Sequence, residues 1–321
     1  MNRLPARLRW LRRLPCLAAA LCLSSAAGAC AFAETGGTLP DSSSFRVRSG
    51  PAIAGSGVLE LDCSAVVLTL AGPQPTITAV ITSPVTGLTL KNGADSIPYT
   101  LANSAGAPYT NGQVVINVAG AAVLGLFSAS GNRVPVNIAT GTSANVAAGT
   151  YTDTVTVRWT YQNICEGSLA VGGLCLGGTS SQTNVTRTLT LRLNVTADCA
   201  ITAPPVQFGS APLLAGFAAV NQNIGLLCTR GLAYTVGISP GNNALPGGRR
   251  QMASGTARLQ YDIFQPGGTV WGATGAARLT GAAPADGLNS QLLPYTARIY
   301  PDQPAPGAGS YVDSLTVDIG F

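Results

Sequence analysis

Apolar and polar residues alternate along two stretches of the chain that share a motif, GTYTDTVTV at 149–157 and GSYVDSLTV at 309–317. In the first copy Tyr151, Asp153, Val155, Val157 and Trp159 face one way, and Thr152, Thr154, Thr156 and Arg158 the other. A period of two predicts a β-strand with one face in a core. In the second copy Tyr311, Leu315, Val317, Ile319 and Phe321 repeat the apolar face, and Asp313 stands where Asp153 does. A third alternating run, Val185 to Thr196, sets Val185, Leu189, Leu191, Leu193 and Val195 against Thr188, Thr190, Arg192 and Asn194, with Arg187 as its break. This run follows the first copy of the motif, whereas the second copy meets Phe321 with no such sequel. Two related sandwich domains are expected, the first closed by its own last strand and the second one strand short. An edge of that kind is completed by a strand from a partner.

The repeat extends beyond the motif. Cys30 and Cys63 precede the first copy as Cys199 and Cys228 precede the second, at separations of 33 and 29 residues. The offset between copies drifts only from 169 at the first cysteine to 160 at Tyr151 and Tyr311, as loop-sized insertions require. Glycine (39 residues) and proline (21) fall between short runs of Val, Ile, Thr and Leu, the spacing of an all-β sandwich. The expected architecture is therefore all-β, with two sandwich domains in tandem at 30–197 and 198–321 and a minimal linker.

Residues 1–29 carry five arginines, an apolar stretch from Leu14 to Leu23 and the small residues Ala27-Gly28-Ala29, which reads as a secretory signal peptide. Cleavage after Ala29 keeps Cys30, which the repeat requires. The apolar stretch is too short to span a bilayer, so no membrane insertion is expected. Removal of this segment takes five of the 18 basic residues and none of the 13 acidic ones, leaving a balanced chain. The net charge of +5 thus gives no reason to expect nucleic-acid binding. Cys16 and Cys22 leave with the signal, and six cysteines in an exported chain imply disulfides. Of the 15 possible pairings, the repeat selects Cys30–Cys63 and Cys199–Cys228 and leaves Cys165–Cys175.

The chain has no histidine, which removes the Ser-His-Asp and Cys-His nucleophile pairs and the imidazole metal ligands. Asp153 and Asp313 recur at one site without a second carboxylate, so they are read as binding backbone near a turn. Arg249-Arg250 is read as an isolated basic pair in a solvated loop. No catalytic residue, metal or cofactor is expected, and the chain is not read as an enzyme.

The set DCAITAPPVQFGS (198–210), LQYDIF (259–264) with Val270-Trp271-Gly272, and the terminal GSYVDSLTVDIGF resembles the spore coat protein U domain family, in particular two-domain tip adhesin subunits of archaic chaperone-usher pili. The first domain is more divergent but keeps Cys30, Cys63, IPYTL (97–101) and GTYTDTVTV. The resemblance implies incomplete immunoglobulin-like sandwiches, each awaiting a strand from a neighbouring subunit. A periplasmic chaperone, an outer-membrane usher and the next pilin subunit are the implied partners. Leu315, Val317, Ile319 and Phe321 would form the edge that accepts the donor strand. Leu189, Leu191, Leu193 and Val195 would complete the first domain in cis, so the chain is expected to accept a strand without giving one, at the pilus tip.

Export through the periplasm to the cell surface follows from the same resemblance, with adhesion to an abiotic or host surface and biofilm formation as the function. The alternative is a minor structural pilin, or a spore-coat-like secreted subunit, without a receptor-binding role. The surface-binding candidates are the apolar Leu169, Val171 and Leu174 inside the Cys165–Cys175 loop, and Val123, Leu124, Leu126 and Phe127 in AGAAVLGLF (119–127). Periodicity does not decide whether that second stretch is an exposed loop or a buried strand.

Overall fold

The computed structural model describes residues 30–63, 72–83, 85, 87–123, 132–142, 144–165, 168–169, 175–176 and 178–321. The predicted segment 1–29 lies outside them, as do Leu124, Leu126, Phe127, Val171 and Leu174. More than half of the described residues are in strands, and the buried apolar ones gather in two cores.

The strands around the first core begin with β1 (Cys30–Gly36), β2 (Ser42–Ser43), β3 (Ala54–Cys63) and β4 (Thr76–Ile81). They continue with β5 (Thr89–Asn92), β6 (Asp95–Ala102), β7 (Val114–Ala119) and β8 (Arg133–Thr140). The long β9 (Gly149–Cys165) and β12 (Thr179–Thr196) flank a small hairpin of β10 (Ser168–Leu169) and β11 (Cys175–Leu176). One layer runs β1-β3-β8-β6 and the other β7-β4-β9-β12-β2, with β5 pairing both β6 and β9. Around the second core, β13 (Cys199–Thr202), β14 (Val220–Cys228), β19 (Gln291–Ile299), β17 (Ala257–Phe264) and β16 (Arg250–Ser254) form one sheet. β18 (Leu279–Thr280), β15 (Thr235–Ile238) and β20 (Val317–Gly320) form the other.

All three expected disulfides are present, Cys30–Cys63, Cys165–Cys175 and Cys199–Cys228. The first and third join directly paired residues at the same end of β1–β3 and of β13–β14. Loops of about 30 residues closed in this way are each worth about 3–4.5 kcal/mol on the chain-entropy account.

The duplication reaches individual hydrogen bonds. Tyr151 and Tyr311 each donate to the carbonyl four residues upstream, Ala147 at 2.8 Å and Gly307 at 2.6 Å. Asp153 accepts from Tyr99 and Asp313 from Tyr261, both at 2.8 Å. The backbone N–H of Thr154 completes the first site and that of Asn242 the second; both aspartates bind backbone as expected, Asp313 at the bend of 242–243 but Asp153 within β9 and away from a turn. Burial, and then the neighbouring carboxylate, push both tyrosine hydroxyls well above their usual range. An acid raised in the fold contributes stability that is complete below its unfolded value of about 10 and is lost as pH rises beyond it. Stability is therefore expected to fall above about pH 10, with phenolate absorbance rising together with unfolding. Tyr99→Phe and Tyr261→Phe should flatten that dependence, as alkaline melts would register.

The chain crosses between the cores at Ala197-Asp198, just after Val195, which is buried in the first core, and before Cys199, which packs on the second. Thr229 Oγ1 accepts from the Asp198 N–H at 2.7 Å and lies 2.7 Å from Ser44 Oγ. Asn145 Nδ2 donates to Asp286 O at 2.9 Å, Arg48 donates to Gly287 O, and Arg230 pairs with Asp95. Burial raises the Asp95 carboxyl, but hydrogen bonds from the Ala147 N–H, Arg230 and Tyr151 outweigh it and hold the group below its usual range. The two sandwiches thus meet through a set of polar contacts as well as through the covalent linker.

Two expectations are corrected. Arg250 begins β16 and is 3% exposed, held by Asp262 at 2.9 Å, so it belongs to the interior. Arg249 does lie at the surface, where it pairs with Asp302 over the Tyr300 ring. Val123 is fully buried in the first core, where an apolar side chain gains most, and is not part of a surface loop.

Candidate functional site

The last strand of the first domain is held on both sides. β12 pairs antiparallel with β9 from Val195↔Gly149 through Leu193↔Tyr151, Leu191↔Asp153, Leu189↔Val155 and Arg187↔Val157 to Val185↔Trp159. On its other side it runs parallel to residues 37–43. Arg192 donates to Gly37 O at 2.8 Å and accepts from the Leu39 N–H at 2.8 Å, and Val195 and Thr196 pair with Ser42 and Ser43. Leu189, Leu191, Leu193 and Val195 are all buried, as are Gly37, Leu39 and Val47 along one flank and Tyr151, Val155, Val157, Trp159 and Tyr161 along the other. Gly57 is needed for this fit, because a Cβ there would meet Leu189 Cδ2 at 2.5 Å.

Segments corresponding to the same two flanks recur in the second domain, with no described strand paired between them. The counterpart of β9 is the segment 309–321, of which only Val317–Gly320 forms a strand, β20. β20 pairs with β15 and, among the described residues, has no partner on its other edge. The expected long strand is short because a segment bonded on one side makes fewer ladder bonds. No residue from 309 to 321 is buried: Leu315, Val317 and Ile319 are half-buried against the second core, and Phe321 is 66% exposed. The counterpart of 37–43 lies seven to thirteen residues beyond Cys199, at 206–212, and forms no strand. Between Ile201 and Val220 no residue is buried, Leu213 is 73% exposed, and Val206, Phe208, Leu214 and Phe217 rest half-covered on the core.

Two half-covered apolar segments, 206–217 and 309–321, thus lie against the second core. The four residues predicted as an accepting edge all fall in the second segment, and sequence reasoning did not single out the first. Its signal was present in the alignment of Phe208 with Leu39, each nine residues after the first cysteine of its domain.

The other predicted surface lies at the far end of the first domain. β9 and β12 stay paired over most of their 17 and 18 residues, about 55 Å at the usual rise per residue. This places the β10–β11 hairpin and Cys165–Cys175 at the pole opposite the interdomain junction. Leu169 pairs with Cys175 in that hairpin. Trp159 and Tyr161 are core residues, as their alternation indicated.

No group of metal-ligating side chains occurs among the described residues, and no described helix is long and apolar enough to cross a membrane. Residues 15–158, and again 185–318, match the sequence profile of the Spore Coat Protein U domain. The chain belongs to that family. The second match begins at Val185 within β12, so it covers the second core together with the part of β12 that is buried in the first. Among solved structures the chain is similar to the CsuC-CsuE chaperone–tip adhesion subunit pre-assembly complex from archaic chaperone-usher Csu pili of Acinetobacter baumannii. The identity is 21% over 90% of this chain and all of that one, with a TM-score of 0.55, a likeness of fold. The CupB6 tip adhesin of Pseudomonas aeruginosa is 12% identical over 90% of this chain and 94% of its own, with a TM-score of 0.34. No curated protein matches the chain in sequence.

Proposed function

We propose that this protein is a tip subunit of a chaperone-usher pilus, exported through the periplasm, whose second domain accepts a donor strand and whose first domain attaches to a surface. The observation that carries this reading is the contrast between the two domains. In the first domain β12 is in place and Leu39, Val47, Tyr151, Val155, Val157 and Trp159 along it are buried; in the second the corresponding segments stand half-exposed. Backbone pairing along β20 supplies affinity for any extended segment, and the half-buried side chains reward alternate apolar residues. A periplasmic chaperone would hold the slot until the next subunit's strand replaces it at the outer-membrane usher. The tip position is supported by β12 itself: the alternating segment that precedes the second domain is consumed in cis and is not free to complete a neighbour.

Periplasmic co-expression with the cognate chaperone tests the assembly role. A soluble one-to-one complex is expected, from which a synthetic pilin donor-strand peptide displaces the chaperone and raises the melting temperature. A stable monomer that ignores both chaperone and peptide would rule the reading out.

Adhesion is assigned to the distal pole, through Leu169, Val171 and Leu174. Replacing all three by serine is expected to lower attachment to a hydrophobic surface at least tenfold while leaving chaperone capture unchanged. Attachment at the original level would favour a structural role for the first domain.

A further inference from the structure

The chain displays one junction between a domain and the strand-plus-domain unit that follows it. The second family match begins at Val185, so β12 and the second domain form one such unit, with its leading strand lodged in the first domain. We infer that the end of the second domain formed by 254–258 and 305–309 is the docking surface for the folded domain of the next subunit, and that it takes a carboxylate where this chain's own junction takes Arg230. This rests on the strand-accepting reading of the second domain.

The corresponding end of the first domain shows how such a unit is received. Arg230, two residues beyond Cys228, pairs with Asp95 and forms a parallel bridge with Ala147, and Asn145 Nδ2 donates to Asp286 O at 2.9 Å. The Asp95 carboxylate is held for this contact, since the Ala147 N–H and the Tyr151 hydroxyl both donate to its Oδ2 at 3.1 Å. Asp95 closes the β5–β6 hairpin opposite Asn92, and a Cβ added at Gly149 would strike the Asn92 side chain. The hairpin and the start of β9 therefore share one end of the sandwich.

The second domain repeats this end with different chemistry. Ser254 pairs with Ala257 across the β16–β17 hairpin, and a Cβ added at Gly309 would strike Ser254. Tyr261 and Tyr311 make the bonds that Tyr99 and Tyr151 make, to an aspartate and to the carbonyl four residues upstream. Asp95 stands four residues before Tyr99, and Ala257 four before Tyr261, which sets Ser96 against Arg258. The acid is gone and a cation stands beside its place. Arg258 is exposed, and its Nη1 donates to Gly255 O at 2.7 Å and to Ala257 O at 3.0 Å, while Nε and Nη2 have no partner among the described residues. It is the only charged side chain in 254–258 and 305–309. A unit arriving with arginine at the Arg230 position would meet like charge, whereas a carboxylate there would find the guanidinium. Exposed pairs add little to equilibrium affinity but steer encounter, so the effect is read in a rate.

Strand exchange onto the chaperone-held full chain tests this with two probes, the synthetic pilin donor-strand peptide, which carries no domain, and the cognate pilin, which carries one. With Arg258→Glu the peptide is expected to exchange at the wild-type rate, and the pilin about three- to tenfold more slowly at low salt, the gap closing at about 0.5 M salt. Arg258→Lys keeps the charge and should stay within about twofold of wild type. A pilin rate unmoved or raised by Arg258→Glu, a gap that persists in high salt, or a peptide slowed as much as the pilin overturns the inference and leaves the strand-accepting reading standing. Failure of both probes to displace the chaperone from the wild-type chain overturns the two together.

Discussion

Replacing Leu191 by alanine is expected to destabilise the first domain by about 2–5 kcal/mol, as for a large-to-small change at a fully buried site. Leu191 is 0% exposed and sits at the centre of β12, between Leu189 and Leu193 and opposite Asp153. Its loss loosens the strand that joins β9 to the segment 37–43, so the cavity forms where two backbone ladders depend on one apolar face. The second domain supplies an internal comparison. Val317→Ala, on the half-exposed face of β20, removes less buried area and should cost under about 1 kcal/mol in the isolated chain. That cost should grow once a donor strand covers the slot. Each core holds one buried tryptophan, Trp159 or Trp271, so denaturant melts in Trp271→Phe and Trp159→Phe backgrounds report the two domains separately. Leu191→Ala should move the Trp159 transition and leave the Trp271 transition in place. A shift below 1 kcal/mol would mean that β12 contributes little to the first core.

The parts of this architecture that were legible in the sequence are those written in a period of two or in a repeat. Alternation placed Leu189, Leu191, Leu193 and Val195 on the buried face of β12, and the duplicated cysteines gave all three disulfides. The half-buried face of Leu315, Val317 and Ile319 was legible for the same reason, since residues 309–317 copy the motif of β9. What alternation could not give is anything decided by partners far apart in the chain. Arg250 reads as a surface arginine until β17 brings Asp262 beside it, and neither strand pattern announces a buried charge. Val123 falls in a short apolar run with no period to place it. Asp95, at the start of β6, and Arg230, just after β14, meet only because the two sandwiches dock. The segment 206–217 was hidden by its irregular backbone, which shows no period of two to read.

Asp262→Ala is expected to destabilise the second domain by about 3–5 kcal/mol, because it leaves a buried guanidinium without its counter-ion. Arg250 reaches across the core to donate to Ser239 O and Ile238 O at 2.9 Å, to Trp271 O at 2.6 Å and to Asp262 Oδ1 at 2.9 Å, while the Tyr300 hydroxyl donates to Asp262 Oδ2 at 3.0 Å. The carboxylate is the only one of Arg250's acceptors that carries charge. Without it the cation stays desolvated, and the Tyr300 hydroxyl loses its acceptor as well. Asp262→Asn, which keeps an acceptor but not the charge, should fall between wild type and alanine. The Trp271 transition reads this directly, because the Trp271 carbonyl is one of the arginine's acceptors and its indole N–H donates to Val236 O at 2.8 Å. The consequence for function follows from position: Arg250 ties β16 to Ile238 at the end of β15, the strand on which β20 rests. A variant that folds but has lost this tie should hold the proposed accepting edge less firmly, and so bind a synthetic pilin donor-strand peptide several-fold more weakly than wild type does. Unchanged peptide affinity alongside the lowered stability would show that the edge is positioned by β15 and β18 alone.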